Sequence, residues 1–270
     1  MFIKRLIASL VMAAIGIPAI MYGGLFYFLL IGFFLLMASW EYVKIFETSR
    51  YVPSMVVTVG GVFVILISRS YFPGSSAAVL TGLILLAMTV HLLSFERGRD
   101  QAASDFAITL GGILYLGWLG AYLIDLRSLP NGHWWFFLTL GSVWVADSAA
   151  YFIGGRFGRH KLSPRLSPKK SWEGYIAGVI FGTTASIGLA LAFQSWGGLQ
   201  VLWWQGGLLG LVLSVFTTLG DLGESMIKRQ AGVKDSSSII PGHGGFLDRI
   251  DAWLWAGAIG FFIINWFFIA

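Results

Sequence analysis

The 270-residue chain contains no cysteine and very little charge. The absence of cysteine excludes disulfide scaffolds, thiolate zinc sites and cysteine nucleophiles. Charged residues make up only 11% of the chain, against about 25% in an ordinary soluble domain. The histidines are scattered and have no metal-ligand spacing. We therefore expect any divalent cation to be held by carboxylates, which favour hard ions such as Mg²⁺.

Apolar residues dominate the rest, at 57% of the chain, and the mean hydropathy is +0.78. A bilayer core about 30 Å thick needs roughly 20 apolar residues per helix. Segments of this kind recur along the whole chain, so we predict an all-α, polytopic integral membrane protein with about nine transmembrane helices. The predicted spans are 5–22, 25–46, 52–68, 77–95, 105–125, 134–155, 172–195, 200–220 and 251–269.

The basic residues are distributed unequally between the two ends of these spans. With nine spans, the N-terminus and all but two of the 18 Lys and Arg residues fall on one side, and the exceptions are Arg69 and Arg127. By the positive-inside rule, the basic side is cytoplasmic. We therefore predict a cytoplasmic N-terminus, a multi-pass protein of the cell (inner) membrane, and a site on its cytoplasmic side.

Charge near the spans is concentrated in two predicted cytoplasmic loops, 156–173 and 221–251, and at Asp147 within the sixth span. An ionised group at the centre of a membrane helix costs about 2.5–3.5 kcal/mol on insertion scales, so these charges indicate a site. We accordingly divide the chain into N-terminal transmembrane helices, 1–100, and a transmembrane catalytic region, 101–270, that carries both loops. We interpret Glu41 and Lys44, one helical turn apart in the second span, as an ordinary interfacial ion pair.

The 221–251 loop mixes carboxylates with basic residues and glycines. Carboxylates can hold Mg²⁺ and leave coordination positions for substrate phosphates, whose charge Lys and Arg can neutralise. Asp221 closes the eighth predicted span, and Asp248 and Asp251 precede the ninth, so folding the loop back would bring these residues together. A solvated loop that only sets topology is the alternative, but orientation does not require the acidic residues. We predict a phosphate and metal site.

The stretch from Ser225 to Asp251 resembles the signature of the phosphatidate cytidylyltransferase family, also called CDP-diacylglycerol synthases. The likeness extends to Trp144-x-x-Asp147-Ser148 and to the segment from Ser167 to Gly174. It implies that phosphatidic acid attacks the α-phosphorus of CTP and gives CDP-diacylglycerol and pyrophosphate. The signature positions that match are Ser225, Lys228, Arg229, Lys234, Asp235, Ser237, Ile240, Pro241, His243, Gly244, Gly245, Asp248, Arg249 and Asp251.

The resemblance also implies dependence on Mg²⁺, with a second, monovalent cation such as K⁺ beside it. The family's metal-binding aspartates correspond to Asp221 and Asp248. Asp251 is a further metal candidate, with a structural ion pair to a basic neighbour as the alternative. CTP, phosphatidic acid and the lipid bilayer are the implied partners, nucleic acid is not one, and members of the family tend to form homodimers.

Apart from metal binding, we assign the predicted site residues to catalysis or to substrate binding. For Lys and Arg, contact with lipid headgroups is the alternative interpretation, and Ser171 could simply cap the seventh span. Lysines before a helix N-terminus oppose its dipole, however, and this favours a phosphate partner for Lys169 and Lys170. The predicted catalytic residues are Asp221, Asp248, Lys228, Arg229 and His243. The predicted substrate-binding residues are Asp147, Ser148, Lys169, Lys170, Ser171, Ser225, Lys234, Gly244, Gly245 and Arg249.

Three other functions fit a polytopic membrane chain. A transporter of anionic solutes would carry inverted repeats and polar residues near mid-membrane, whereas the polarity here is one-sided. An alcohol phosphatidyltransferase would carry a different aspartate-rich motif, which the sequence lacks. A non-catalytic scaffold would not require so dense a loop signature.

The predicted orientation can be tested by cysteine labelling, because the chain has no cysteine of its own. A Ser163→Cys variant should react with a membrane-impermeant maleimide only after the cells are permeabilised, since residue 163 lies in a basic loop. A Ser128→Cys variant, on the opposite side, should react in intact cells. The reverse pattern would overturn the orientation.

Overall fold

A computed structural model describes residues 2–47, 49–240 and 244–269, with side chains from residue 10 onward. Helices account for most of these residues, which confirms the all-α prediction. The helices are α1 Phe2–Tyr22, α2 Gly24–Lys44, α3 Met55–Tyr71, α4 Ser76–Glu96, α5 Ala102–Gly112, α6 Tyr122–Ser128, α7 Gly132–Phe157, α8 Trp172–Gly197, α9 Trp203–Gln230 and α10 Leu247–Ile263. A 3₁₀ turn, Pro73–Ser75, precedes α4, and π-helical segments, Ile113–Trp118 and Ile264–Phe268, follow α5 and α10.

Within the described residues, seven helices are long and apolar enough to cross a membrane. Two further apolar helices, Leu10–Tyr22 and Met55–Tyr71, are shorter. Every one of the nine predicted segments overlaps a helix, but the count of nine crossings and the position of the N-terminus stay predictions. The seven long spans are Gly24–Lys44, Pro73–Glu96, Ala102–Ser128, Gly132–Phe157, Trp172–Gly197, Trp203–Gln230 and Leu247–Phe268.

The two predicted loops contain more regular structure than the sequence indicated. Within 156–173, strands β1 Lys161–Ser163 and β2 Ser167–Ser171 form an antiparallel hairpin. Within 221–251, α9 continues to Gln230 and α10 begins at Leu247. We call the described residues between these helices, 231–240 and 244–246, the signature loop. Charge marks where a helix leaves lipid, whereas the helix itself continues because Glu, Lys and Arg are good helix formers.

The chain divides into two compact units by packing. The first unit comprises Met1–Asp125 and Ile227–Ile250, and the second comprises Leu126–Met226 and Asp251–Ala270. The first unit therefore joins the N-terminal helices to the signature loop. The predicted division between residues 100 and 101 concerned catalytic function and stays a prediction.

In the first unit, polar side chains tie helices that are far apart in sequence. The hydroxyl of Tyr27 donates to the carbonyl of Leu123 at 2.7 Å. Asp105, 1% exposed, accepts from Arg99 Nε at 2.7 Å and from the backbone N–H of Val52 at 2.8 Å. These bonds satisfy polar groups that would be costly to leave unpaired in an apolar interior.

Arg69, one of the two basic residues on the predicted outer side, also has a specific partner. It forms an ion pair with Asp125. Its guanidinium lies 4.8 Å from the ring centre of Trp118 and 4.4 Å from that of Tyr122. Arginine prefers aromatic faces of this kind, because its charge is attracted to the negative face of the ring. Arg69 therefore has a structural reason for its position.

In the second unit, glycines allow α7 and α8 to pack closely. A Cβ at Gly174 would lie 2.7 Å from the backbone oxygen of Ala150, and a Cβ at Gly182 would lie 2.8 Å from the Cβ of Ala146. Small residues of this kind are typical where membrane helices approach each other, since van der Waals contact rather than the hydrophobic effect holds them together.

Substitution of one of these glycines should destabilise the second unit. We expect Gly182→Ala to lower the free energy of unfolding by about 1–3 kcal/mol through overpacking, because the added methyl group would also meet Ser214 Oγ at 2.2 Å. Gly188→Ala is the matched control on the same helix, since its added Cβ would have no neighbour within 4 Å. Thermal unfolding in detergent measures both, and equal melting temperatures would contradict the packing argument.

Candidate functional site

Three carboxylates of the second unit come together where the C-terminal third of α9 meets the second turn of α10. One carboxylate oxygen each from Asp221, Glu224 and Asp251 lies within 4.8 Å of the other two. Asp221 and Glu224 share one face of α9 because they are three residues apart in a helix. Asp221 and Asp251 are half-buried, and Glu224 is 2% exposed. We call these three residues the acidic cluster.

A glycine allows the two helices to approach each other at this point. A Cβ at Gly220 would lie 2.7 Å from Trp255 Cδ1 and 2.8 Å from the backbone oxygen of Asp251. Any larger residue at position 220 would therefore push the helix ends apart. The glycine next to Asp221 is thus part of the reason why Asp221 and Asp251 lie close together.

A lysine and a fourth carboxylate lie near the acidic cluster. Lys170, the penultimate residue of β2, places its Nζ 2.6 Å from Asp221 Oδ2. Asp147, within α7, interacts electrostatically with both Lys170 and Asp221. The sequence had predicted that Asp147 and Lys170 bind substrate. The structure groups them with Asp221, while their contact with substrate stays a prediction.

The chemistry of these donors fits a hard divalent cation. Carboxylates this close repel one another unless a positive charge or a proton lies among them. Carboxylate oxygens are also the ligands that Mg²⁺ prefers, and Mg²⁺ is usually held by only one or two of them with water and phosphate in the other positions. Asp221, Glu224 and Asp251 could therefore hold Mg²⁺ and leave room for phosphate oxygens.

Asp248, the third predicted metal ligand, lies in the first unit and has its own set of partners. It accepts from Lys228 Nζ at 2.6 Å, from the hydroxyl of Ser236 at 2.8 Å and from the backbone N–H of Gly245 at 2.8 Å. Lys228 is itself 8% exposed. The structure thus brings together two of the three predicted ligands, Asp221 and Asp251, and adds Glu224. The metal role of Asp248 stays a prediction.

The remaining predicted residues are placed as follows. Ser171 caps α8 by accepting from the N–H of Gly174 at 3.2 Å, which confirms the capping interpretation. Ser148 donates to the carbonyl of Trp144 at 2.7 Å within α7. Ser225 is half-buried on α9, and Gly244 has a φ of +79°, which favours glycine. His243 lies outside the described residues. Among the predicted site residues, the exposed cations are Lys169, Arg229, Lys234 and Arg249.

Sequence reasoning missed Glu224 and misinterpreted Glu41. Glu224 could have been found from its spacing, had residues 221–230 been predicted as helix. The interfacial pair of Glu41 and Lys44 is wrong, because Lys44 pairs with Glu47 at 2.8 Å whereas Glu41 is buried and accepts from Ser236 and Ser237. A carboxylate within a membrane span was itself a signal of a specific role.

The chain therefore combines apolar helices long enough to cross a membrane with a cluster of carboxylates and a lysine. The chain belongs to the Cytidylyltransferase family, whose model matches residues 3–267. It is accordingly a nucleotidyltransferase embedded in a membrane.

Several relatives named phosphatidate cytidylyltransferase are similar over almost their full length. The protein from Pseudomonas aeruginosa is 35% identical over 92% of each chain. The protein from Synechocystis sp. is 31% identical over 97% of this chain and 96% of its own. The protein from Staphylococcus saprophyticus is 32% identical over 93% and 94%. The likeness includes the N-terminal helices and is therefore not confined to the signature loop.

The acidic cluster makes a prediction about divalent cations. We expect Glu224→Gln to weaken the binding of Mn²⁺, used as a spectroscopic substitute for Mg²⁺, by about 10–100-fold, because one of three converging charges is lost. Electron paramagnetic resonance of free Mn²⁺ measures the affinity in purified protein. Glu96→Gln, a change of the same kind at an exposed position, is the control. Equal affinities in the two variants would exclude Glu224 as a ligand.

Proposed function

We propose that the chain is a phosphatidate cytidylyltransferase, which transfers CMP from CTP to phosphatidic acid in phospholipid biosynthesis. The observation that carries the proposal is the acidic cluster with Lys170, in a chain that matches the family along nearly its whole length. The relatives' name supplies the two substrates. One substrate is a lipid and the other is a soluble nucleotide, which suits a site at the ends of apolar helices.

The reaction exchanges one phosphoanhydride bond for another. A phosphate oxygen of phosphatidic acid forms a bond to the α-phosphorus of CTP, and the bond from that phosphorus to the bridging oxygen breaks. Pyrophosphate leaves and CDP-diacylglycerol remains in the bilayer. The lipid phosphate is ionised near neutral pH, so the protein need not supply a strong base. Its contribution is to position the two substrates and to neutralise charge.

Within this proposal Asp221, Glu224 and Asp251 hold Mg²⁺. When bound, Mg²⁺ would neutralise phosphate charge and stabilise the departing pyrophosphate. Asp248 is the further metal ligand that the family resemblance implies, and a monovalent cation such as K⁺ beside Mg²⁺ is implied in the same way. Lys170, whose Nζ lies 2.6 Å from Asp221 Oδ2, is the proposed phosphate contact beside the metal.

Four other basic residues of the two predicted loops, 156–173 and 221–251, are proposed phosphate contacts. The exposed Lys169, Arg229, Lys234 and Arg249 are accessible to phosphate oxygens, and Arg can bind them with two parallel hydrogen bonds. We also propose that the two predicted loops are cytoplasmic, where CTP is available, and that phosphatidic acid enters laterally from the bilayer. A homodimer is the expected assembly, from the family resemblance alone.

The activity is tested with purified protein in detergent, labelled CTP, phosphatidic acid and Mg²⁺. We expect labelled CDP-diacylglycerol and an equal amount of pyrophosphate. Asp221→Asn should lower kcat by about 10²–10³-fold, because it removes charge that the transition state requires. Asp100→Asn, at an exposed position, should leave kcat unchanged.

One outcome would contradict the proposed reaction, and another would contradict the proposed role of Asp221. If the wild-type protein forms no CDP-diacylglycerol from these substrates, the reaction is wrong. If Asp221→Asn turns over at the wild-type rate at saturating Mg²⁺, the reaction can stand but the assignment of Asp221 fails.

A further inference from the structure

Glu41 is a buried carboxylate that the proposed reaction does not use. It lies in α2, a membrane-spanning helix, and is 0% exposed. Its oxygens accept from the hydroxyl of Ser237 at 2.6 Å and from the backbone N–H of Leu247 at 2.8 Å. Its Oε2 also lies 3.0 Å from the hydroxyl of Ser236, which it shares with Asp248. These donors lie 195 to 206 positions further along the chain. Glu41, in an N-terminal helix, therefore contacts the signature loop at residues 236 and 237 and the start of α10 at residue 247.

The bond to Leu247 fixes where α10 begins. Leu247 is the first residue of α10, and the first N–H groups of a helix have no acceptor within the helix. A carboxylate at this end supplies an acceptor and interacts favourably with the helix dipole. Glu41 thus does for α10, from a distant helix, what a capping residue normally does from the adjacent loop. The next residue is Asp248, so Glu41 also sets the position of that carboxylate.

The serine bonded to Glu41 connects it to Asp248 by a second route. The hydroxyl of Ser236 lies 3.0 Å from Glu41 Oε2 and 2.8 Å from Asp248 Oδ2. The backbone N–H of Ser236 donates to the same Asp248 oxygen at 3.1 Å. Lys228 contacts the other Asp248 oxygen at 2.6 Å. Glu41, Ser236, Asp248 and Lys228 are therefore linked by a continuous series of polar contacts, all within the first unit. The single proton of the Ser236 hydroxyl serves one of the two carboxylates at a time.

The backbone of the signature loop is shaped to allow this arrangement. A Cβ at Gly245 would lie 2.1 Å from Ser236 Oγ and 2.4 Å from Glu41 Oε2. No side chain fits at position 245 while both contacts exist. The second glycine of the signature is thus explained by close approach to Glu41, in addition to any contact with substrate.

We propose that Glu41 is a positioning residue for CMP transfer, which orders the signature loop and sets Asp248 and Lys228 in their working geometry. The inference rests on the proposed function. Positioning contributes a large part of the rate in reactions of this kind, and a displacement of about 1 Å can cost 10²-fold. Glu41 does not touch the reacting atoms. It acts through Ser236, Ser237 and Leu247.

A purely structural role is the alternative, and Asp105 is the internal comparison for it. Asp105 is also a buried carboxylate of the first unit, but its partners, Arg99 and Val52, lie outside the signature loop. Asp105→Asn should lower the melting temperature without changing kcat per folded molecule. Glu41→Gln should lower kcat about 100-fold, with the KM for phosphatidic acid nearly unchanged.

Two milder variants keep the test decisive if Glu41→Gln folds poorly. Ser237→Ala removes one of the three donors to Glu41 and should lower kcat about tenfold, whereas Ser237→Thr keeps the hydroxyl and should restore most of it. The controls are Ser238→Ala and Glu47→Gln at neighbouring exposed positions, which should leave kcat unchanged. In the double variant Glu41→Gln/Ser237→Ala, the loss should not exceed that of Glu41→Gln alone, because the two residues share one interaction.

Hydrogen exchange of the amides of Ser236, Gly245 and Leu247 gives a readout that does not depend on activity. Exchange at all three should become faster in Glu41→Gln or Ser237→Ala and stay unchanged in Glu47→Gln. Unchanged exchange, or kcat losses that multiply in the double variant, would overturn the inference. If wild-type protein makes no CDP-diacylglycerol, the proposed function fails, while the exchange result still decides whether Glu41 orders the loop.

Discussion

The structure depends on one constraint: each carboxylate that lies within an apolar helical bundle needs donors or a cation of its own. An ionised group in this setting is costly, and only specific partners reduce that cost. Asp125 has Arg69, and Asp105 has Arg99. Glu41 is different because its partners are hydroxyl and backbone N–H groups. Each of these carboxylates holds together parts of the chain that are distant in sequence.

The carboxylates of the acidic cluster also need donors or a cation of their own. Asp221, Glu224 and Asp251 converge where α9 and α10 leave the apolar region, with Lys170 beside them. Convergence of like charges is unfavourable by itself and becomes favourable when a divalent cation is shared. A chain with so few charges thus gathers Asp221, Glu224, Asp251 and Lys170 in one place.

Much of this organisation could be predicted from the sequence, and the exceptions have physical causes. Hydropathy predicted a segment that overlaps each α-helix of the described residues, because the lipid solvent selects long apolar segments. It did not locate the end of α9, since hydropathy reports the membrane boundary and the backbone hydrogen bonds continue past it to Gln230. Glu224 was missed for this reason. The role of Glu41 could not be read from local sequence, because its partners lie 195 or more positions away, and only the folded chain brings them together.

We propose above that the acidic cluster binds a divalent cation. Anomalous diffraction from crystals grown with Mn²⁺ in place of Mg²⁺ tests it most directly. We expect one anomalous peak within coordination distance of Asp221, Glu224 and Asp251, about 2.0–2.2 Å from carboxylate oxygens. Mn²⁺ bound only elsewhere in the protein, with no peak near these three residues, would contradict it.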